Sequence, residues 1–162
     1  LLVYALSCWY GALSGQTDPL RPLGRAQIAQ ITGEHAAKSG DEWQTVTQAN
    51  ELSRILAESK SAEKPVLVDW YADWCISCKV IEHEVLPDPK IVSQLKGFRL
   101  IRFDMTDSSP EQRALLDHYK LFGPPALLFF GNDGNELTNA RVVGEIDVQS
   151  FSERLSRAND QI

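Results

Sequence analysis

The fold is decided by residues 66–79, which read VLVDWYADWCISCK. Residues 66–71 are almost entirely apolar, and this pattern predicts a strand buried in the centre of a sheet. A helix is predicted from about Cys75, directly after that strand. The pair Cys75 and Cys78 therefore opens a helix. Because helical residues three apart lie on one face, the two sulfur atoms are close enough to form a disulfide.

A cysteine at the start of a helix is chemically activated. The free N–H groups and the helix dipole stabilise a thiolate there and lower the pKa of the first cysteine. The thiolate is the attacking species in disulfide exchange, which makes Cys75 the expected nucleophile and Cys78 the resolving thiol. The Cys75–Cys78 disulfide would itself carry the electrons, so no bound cofactor is expected.

Two other uses of a C-x-x-C motif stay open at this level. One is a zinc site, which usually needs a second pair of Cys or His ligands. The other candidate ligands show no paired spacing, so we expect no metal; they are Cys8, His35, His83 and His118. The second alternative is a disulfide with a purely structural role.

Composition narrows the class of protein. A chain of 162 residues with 43% hydrophobic residues is sufficient for one compact domain with some attached sequence. The charged fraction of 23% is ordinary and argues against a disordered chain. The net charge of −6 argues against nucleic-acid binding, which requires clustered Lys and Arg.

The beginning of the chain has a different character. It starts at Leu1 rather than Met, so we expect a fragment or a processed product. Residues 1–13 are apolar and aromatic without a charge, whereas a complete membrane span needs about 20 such residues. We interpret residues 1–15 as the end of a transmembrane helix; the alternative is a buried helix of the folded domain. Residues 16–41 are interpreted as a connector.

Residues 42–162 alternate between strand-like and helix-like segments. Strands are predicted near residues 43–46, 66–71, 98–103, 126–130 and 140–143. Helices are predicted over residues 50–59, from Cys75, from the Asp88-Pro89 pair, from the capping box at Ser109 to Tyr119, and after Asp147. This order ends in a hairpin and predicts an α/β fold with a mixed sheet covered by helices.

Two segments carry a resemblance to a known fold. Residues 69–79 resemble the active-site segment of thioredoxin-fold proteins, whose pattern is D-x-x-A-x-W-C-x-x-C-K. Residues 122–126, FGPPA, are similar to the second signature of that fold, a loop whose proline is cis and faces the dithiol. A narrower resemblance is to the C-terminal periplasmic domain of the DsbD family of thiol:disulfide interchange proteins. It rests on residues 71–75 with Cys78-Lys79, on Glu82 and on residues 128–130.

The resemblance implies a fold, a function and a location. It implies a thioredoxin fold in which a mixed central sheet is flanked by helices. It also implies an electron relay from a membrane domain to an N-terminal domain of the same DsbD-like protein, on the periplasmic face of the bacterial inner membrane. Arg21 and Arg25 favour the cytoplasmic side by the positive-inside rule, and we give the resemblance more weight.

The direction of electron flow has alternatives. The dipeptide Ile76-Ser77 is diagnostic of neither a strong reductant nor a strong oxidant. A general thioredoxin-like reductase, or an oxidase or isomerase, is therefore the alternative to the relay. A redox-inert binding module with a vestigial disulfide is the third hypothesis.

Two acids are predicted to act on the dithiol. Asp69 lies within the apolar strand, six residues before Cys75, so burial should raise its pKa and allow it to exchange a proton with Cys78. Glu82 lies four residues beyond Cys78, on the helix face below the dithiol. The alternatives are an Asp69 satisfied by a neighbouring N–H group and a Glu82 on a solvated helix face.

Three residues are predicted to contact the partner. Trp74, next to the nucleophile, is expected to be exposed, whereas Trp70 and Tyr71 are expected to pack in the core. Only about 5–6% of X-Pro bonds in folded proteins are cis, so it is the resemblance that assigns the cis bond to Pro125. Pro124 replaces the usual aliphatic residue of that loop. Backbone before Pro125 would pair with an incoming peptide.

Overall fold

The computed structural model describes residues 43–162, so the predictions for residues 1–15 and 16–41 lie outside the described residues. The strands are β1 (Gln44–Val46), β2 (Val66–Tyr71), β3 (Arg99–Asp104), β4 (Ala126–Phe130) and β5 (Val142–Val143). The helices are α1 (Ala49–Ser61), α2 (Ile76–Val80), α3 (Pro89–Gln94), α4 (Pro110–His118) and α5 (Val148–Asn159). A π-helical turn (Ile81–Val85) continues α2.

The strands form one mixed sheet in the order β1-β3-β2-β4-β5. The first three pair in parallel, and β4 pairs antiparallel with both β2 and β5. β2 lies at the centre, and all six of its residues are buried. The predicted mixed sheet with a buried central strand is confirmed.

Hydrophobic residues cover both faces of this sheet. On one face, α1 and α4 pack on β2 and β3 through a cluster that includes Leu52, Ile55, Val68, Trp70, Phe103 and Leu116. On the other face, the π-helical turn, α3 and α5 pack through Leu67, Ile81, Val85, Ile91, Phe151 and Leu155. Successive strand residues alternate between faces, so Asp69 shares the face of Leu67 and lies beneath the active-site helix.

The predicted helix starts are confirmed in three places. Ser109 and Gln112 form the reciprocal capping box of α4. The Asp88 side chain accepts a hydrogen bond from the N–H of Lys90 at the start of α3. The Asp147 side chain likewise accepts one from the N–H of Ser150 at the start of α5. Each such cap stabilises its helix by about 1 kcal/mol.

The π-helical turn was not predicted. The N–H of Leu86 donates to the carbonyl of Ile81 at 2.9 Å, which spans five residues instead of the four of an α-helix. The turn places Ile81 and Val85 against the sheet while Glu82 remains partly exposed. This main-chain detail leaves no trace in the apolar periodicity from which the helix was predicted.

Candidate active site

The two cysteines form a disulfide at the start of α2. The Cys75 and Cys78 sulfur atoms are 2.03 Å apart, and both residues are buried. Cys75 is the N-cap of α2, and its Sγ accepts a hydrogen bond from the N–H of Cys78 at 3.1 Å. This N–H group would also stabilise a Cys75 thiolate after reduction. The predicted redox disulfide is therefore present at the predicted position.

The loop before β4 contains the proline pair that was predicted to face the dithiol. The peptide bond between Pro124 and Pro125 is cis, as the resemblance implies. The carbonyl of Pro125 accepts a hydrogen bond from the N–H of Gly144 at 3.0 Å, and Gly144 has the positive φ of 88° that glycine adopts readily. Ala126, directly after this loop, packs in the same cluster as the two cysteines.

The segment before the dithiol is fixed by the loop that follows β3. The Trp74 indole donates to the carbonyl of Thr106 at 3.1 Å, and the N–H of Asp73 donates to the Thr106 hydroxyl at 2.9 Å. That hydroxyl donates in turn to Asp104 at 2.5 Å. Trp74 is 57% exposed despite this anchoring, as predicted, whereas Trp70 and Tyr71 are buried.

The two predicted acids meet at an arginine. Asp69 is 4% exposed and lies directly opposite Arg102 in the register of β2 and β3. Arg102 Nε is 3.3 Å from Asp69 Oδ2, and Arg102 Nη1 is 2.6 Å from Glu82 Oε1. Asp69 is thus paired with a guanidinium rather than with a neighbouring N–H group, and Glu82 is ion-paired rather than fully solvated. Sequence reasoning assigned Arg102 no role.

The surroundings of Asp69 shift its ionisation. Burial raises the pKa of the Asp69 carboxyl from its ordinary value of 3.8 to about 6. The Arg102 guanidinium opposes this rise in pKa, and the negative charge of Glu82 adds to it. A carboxyl with a pKa in this range can both accept and release a proton near neutral pH.

Comparison with known proteins identifies the family. The thioredoxin-like family model matches residues 45–132. The oxidised C-terminal domain of Neisseria meningitidis DsbD superposes with a TM-score of 0.62 and 29% identity, over 71% of this chain and 99% of that one. Its reduced form gives a TM-score of 0.55 and 32% identity, over 66% and 96%. The chain belongs to the thioredoxin-like family, among the C-terminal domains of DsbD. The predicted fold and family are confirmed.

A full-length DsbD shows how much of such a protein the chain represents. The thiol:disulfide interchange protein DsbD 1 of Pseudomonas aeruginosa is 54% identical over 157 residues, which is 97% of this chain and 26% of that protein. The chain therefore spans about a quarter of the length of this DsbD relative. Within residues 43–162, no helix is long and apolar enough to cross a membrane.

Two further contacts in this DsbD-type site were missed from the sequence. The Ser77 hydroxyl, inside the C-x-x-C motif, donates to Glu145 Oε1 at 2.5 Å and so joins α2 to the segment after β5. The Tyr71 hydroxyl donates to Asp73 at 2.8 Å and accepts a longer hydrogen bond of 3.4 Å from Lys79. Ser77 and Glu145 are 68 residues apart and meet only in the folded chain. The Tyr71 contacts are closer in sequence, but no motif signals them.

The other candidate metal ligands of the sequence do not take part in the contacts described above. His83 and His118, considered above as zinc ligands, are exposed on the π-helical turn and on α4. Among the residues that the structure describes, no group of three His, Cys, Asp or Glu side chains is placed to hold a metal ion. Cys8 and His35 fall outside that part of the chain.

Proposed function

We propose that this chain is a thiol:disulfide oxidoreductase domain that relays electrons from a membrane domain to a partner domain through Cys75 and Cys78. The observation that carries the proposal is the disulfide itself: a buried C-x-x-C pair at the end of a central strand, with the N–H of Cys78 on the Cys75 sulfur. Kinship with the DsbD C-terminal domains supports the same function.

The exchange takes place in two substitutions at sulfur. In the reduced domain, the Cys75 thiolate attacks one sulfur of the partner's disulfide. The Cys75–partner bond forms, the partner's own disulfide breaks, and its other sulfur leaves as a thiolate that takes up a proton. Asp69 accepts the proton of Cys78, which then attacks the Cys75 sulfur. The Cys75–Cys78 bond forms and the partner's second sulfur leaves, so two electrons have passed to the partner.

Each of the other site residues has a proposed task. Asp69 serves as proton acceptor for Cys78, whose sulfur lies 3.9 Å from the carbonyl of Trp70, the next residue of β2. Glu82 adds negative charge beside Asp69. Trp74, Pro124 and Pro125 contact the partner, whose cysteine-containing segment lies along the backbone before Pro125.

Membership in the DsbD family supports a proposal for the partners and the location. The source of electrons is the transmembrane domain of the same DsbD-like protein, and the acceptor is its N-terminal domain. The domain itself would lie on the periplasmic face of the bacterial inner membrane, to which it is tethered in the full-length protein. The share of DsbD that this chain spans, about a quarter, leaves room for both domains.

The proposal is tested by trapping the intermediate. A chain with Cys78→Ala is mixed with the disulfide-bonded N-terminal domain of a full-length DsbD, and the products are separated without reductant. The expected product is one mixed disulfide through Cys75 that dithiothreitol releases, and the double variant Cys75→Ala/Cys78→Ala gives none. Absence of the adduct, while the same chain still reacts with a small aromatic disulfide, would overturn the proposed acceptor.

A further inference from the structure

Arg102 is a nearly enclosed cation that the exchange steps do not use. Its side chain is only 17% exposed. Besides its two carboxylate partners, its guanidinium carbon lies 4.7 Å from the ring centre of Tyr71 and 6.0 Å from that of Trp43. An arginine held by two carboxylates and two aromatic rings has little freedom to move.

The position of Arg102 explains how it can reach two acids at once. Asp69 is its direct neighbour across the parallel pair of β2 and β3, so strand register fixes that contact. Glu82 comes from the π-helical turn that continues the active-site helix. The guanidinium therefore joins the sheet to the helix that carries the dithiol.

The charges around Arg102 do not balance. Two carboxylates share one guanidinium, so the group has one net negative charge when both acids are ionised. Among the described residues, the other titratable groups near this cluster are Tyr71 on β2 and Lys79 on α2, whose ammonium contacts the Tyr71 hydroxyl rather than either acid. Among the residues that the structure describes, the uncharged Trp43, just before β1, also faces Arg102. Arg102 is thus the cation that opposes the effect of burial on the buried acid.

We propose that Arg102 is a positioning residue that holds Asp69 and Glu82 under the active-site helix and keeps Asp69 able to accept the Cys78 proton at neutral pH. The inference rests on the proposed function, because that function makes Asp69 the acceptor. Without the guanidinium, burial and the charge of Glu82 would both favour the protonated acid. A carboxyl that is already protonated accepts no proton from Cys78.

The decisive experiment follows the Asp69 carboxyl carbon by NMR as pH is varied, in the oxidised chain. The wild-type midpoint is expected at about 6. Arg102→Met is expected to raise that midpoint by about one pH unit or more, which is tenfold less ionised acid at a given pH. Arg102→Lys keeps a positive charge that cannot span both acids. In this variant the Asp69 midpoint is expected between that of the wild type and that of Arg102→Met.

Glu82→Gln supplies a test of opposite sign. Removing the Glu82 charge leaves Arg102 to Asp69 alone, so the Asp69 midpoint is expected to fall. If the substitutions merely loosened the packing of the site, the Asp69 midpoint would move in the same direction in Arg102→Met and in Glu82→Gln. Glu82→Gln also keeps the inference testable if Arg102→Met does not fold. The matched control is Arg99→Met, on the same strand but paired with Glu58, which is expected to leave the midpoint unchanged.

A kinetic measurement with a small disulfide tests whether the Asp69 midpoint also governs the step in which Cys78 reacts. The reduced chain attacks 5,5′-dithiobis(2-nitrobenzoate) through Cys75, and Cys78 then displaces the second thionitrobenzoate. The acid midpoint of this second step is expected to rise in Arg102→Met and to stay in place in Arg99→Met.

The outcomes separate the two proposals. The inference would be overturned by an unchanged or lowered Asp69 midpoint in a folded Arg102→Met chain. It would also be overturned if Arg102→Met and Glu82→Gln shifted the midpoint in the same direction. Either result would leave the relay standing. Shifts as expected, together with no mixed disulfide to the DsbD N-terminal domain, would overturn the proposed acceptor and leave the role of Arg102 toward Asp69 standing.

Discussion

The two faces of the central sheet differ in what they bury. The face under α1 and α4 is apolar along β2 and β3, with Val68, Trp70 and Phe103 at its centre. The face under the active-site helix begins with Leu67 and then buries Asp69 opposite Arg102. Burial of charged groups costs free energy even when they are paired. Both faces supply stability through apolar burial, but the face under the active-site helix gives up part of its contribution by burying an acid.

The largest effect on stability is expected from the apolar face. Phe103 is fully buried, and its ring centre lies 5.0 Å from that of Trp70. Phe103→Ala removes a large side chain and leaves a cavity, so we expect it to lower the free energy of unfolding by about 3–5 kcal/mol. Denaturant unfolding of the oxidised chain measures this loss. A loss below about 1 kcal/mol would contradict the division between the two faces.

On the face under the active-site helix, removing the buried charge of Asp69 is expected to increase the free energy of unfolding. The Asp69 pKa is about 6 in the folded chain and close to 3.8 when unfolded, so the unfolded chain ionises first as pH rises. The free energy of unfolding therefore falls between about pH 4 and 6 and stays lowered above that range. Asp69→Asn removes this loss, and we expect a gain of about 1–3 kcal/mol at pH 8 that vanishes below pH 4.

Denaturant unfolding at several pH values checks this expectation. The exposed control Asp117→Asn should give no such gain. Asp69→Asn should also slow the second step of disulfide exchange, because the acceptor for the Cys78 proton is gone. A variant that is less stable than the wild type at pH 8 would show that Asp69 stabilises the fold rather than serving the dithiol.

The smallest effect on stability is expected at the exposed rim of the site. Phe122, two residues before Pro124, is fully exposed, so Phe122→Ala should change the free energy of unfolding by less than about 0.5 kcal/mol. If this ring contacts the partner, KM for reduction of the DsbD N-terminal domain should rise roughly five- to tenfold. Val92→Ala, at an exposed apolar residue of α3, is the control for which KM should not change.

Local patterns predicted much of this structure. The apolar run at residues 66–71 predicted the central strand, and the side chains of Asp88, Ser109 and Asp147 predicted three helix starts, because those signals act within one turn of the chain. The cis bond at Pro125 followed from the family resemblance, since residue chemistry alone favours trans.

The parts that escaped prediction depend on long-range arrangement. Arg102 meets Asp69 only because β2 and β3 are neighbours in this register. The sequence of β3 does not show which strand it pairs with. Thr106 and Glu145 bind Trp74 and Ser77 from loops that come after β3 and β5. Such contacts follow from the completed fold, so the acids were predicted and their cation was not.

The reduction potential of the Cys75–Cys78 pair tests the central claim most directly. Equilibration with glutathione or dithiothreitol gives this value for the wild-type chain. An electron-donating relay domain should show a potential near or below roughly −230 to −270 mV, the range between glutaredoxins and thioredoxin. A potential near roughly −120 mV, that of a strong oxidant, would contradict the relay and favour an oxidase.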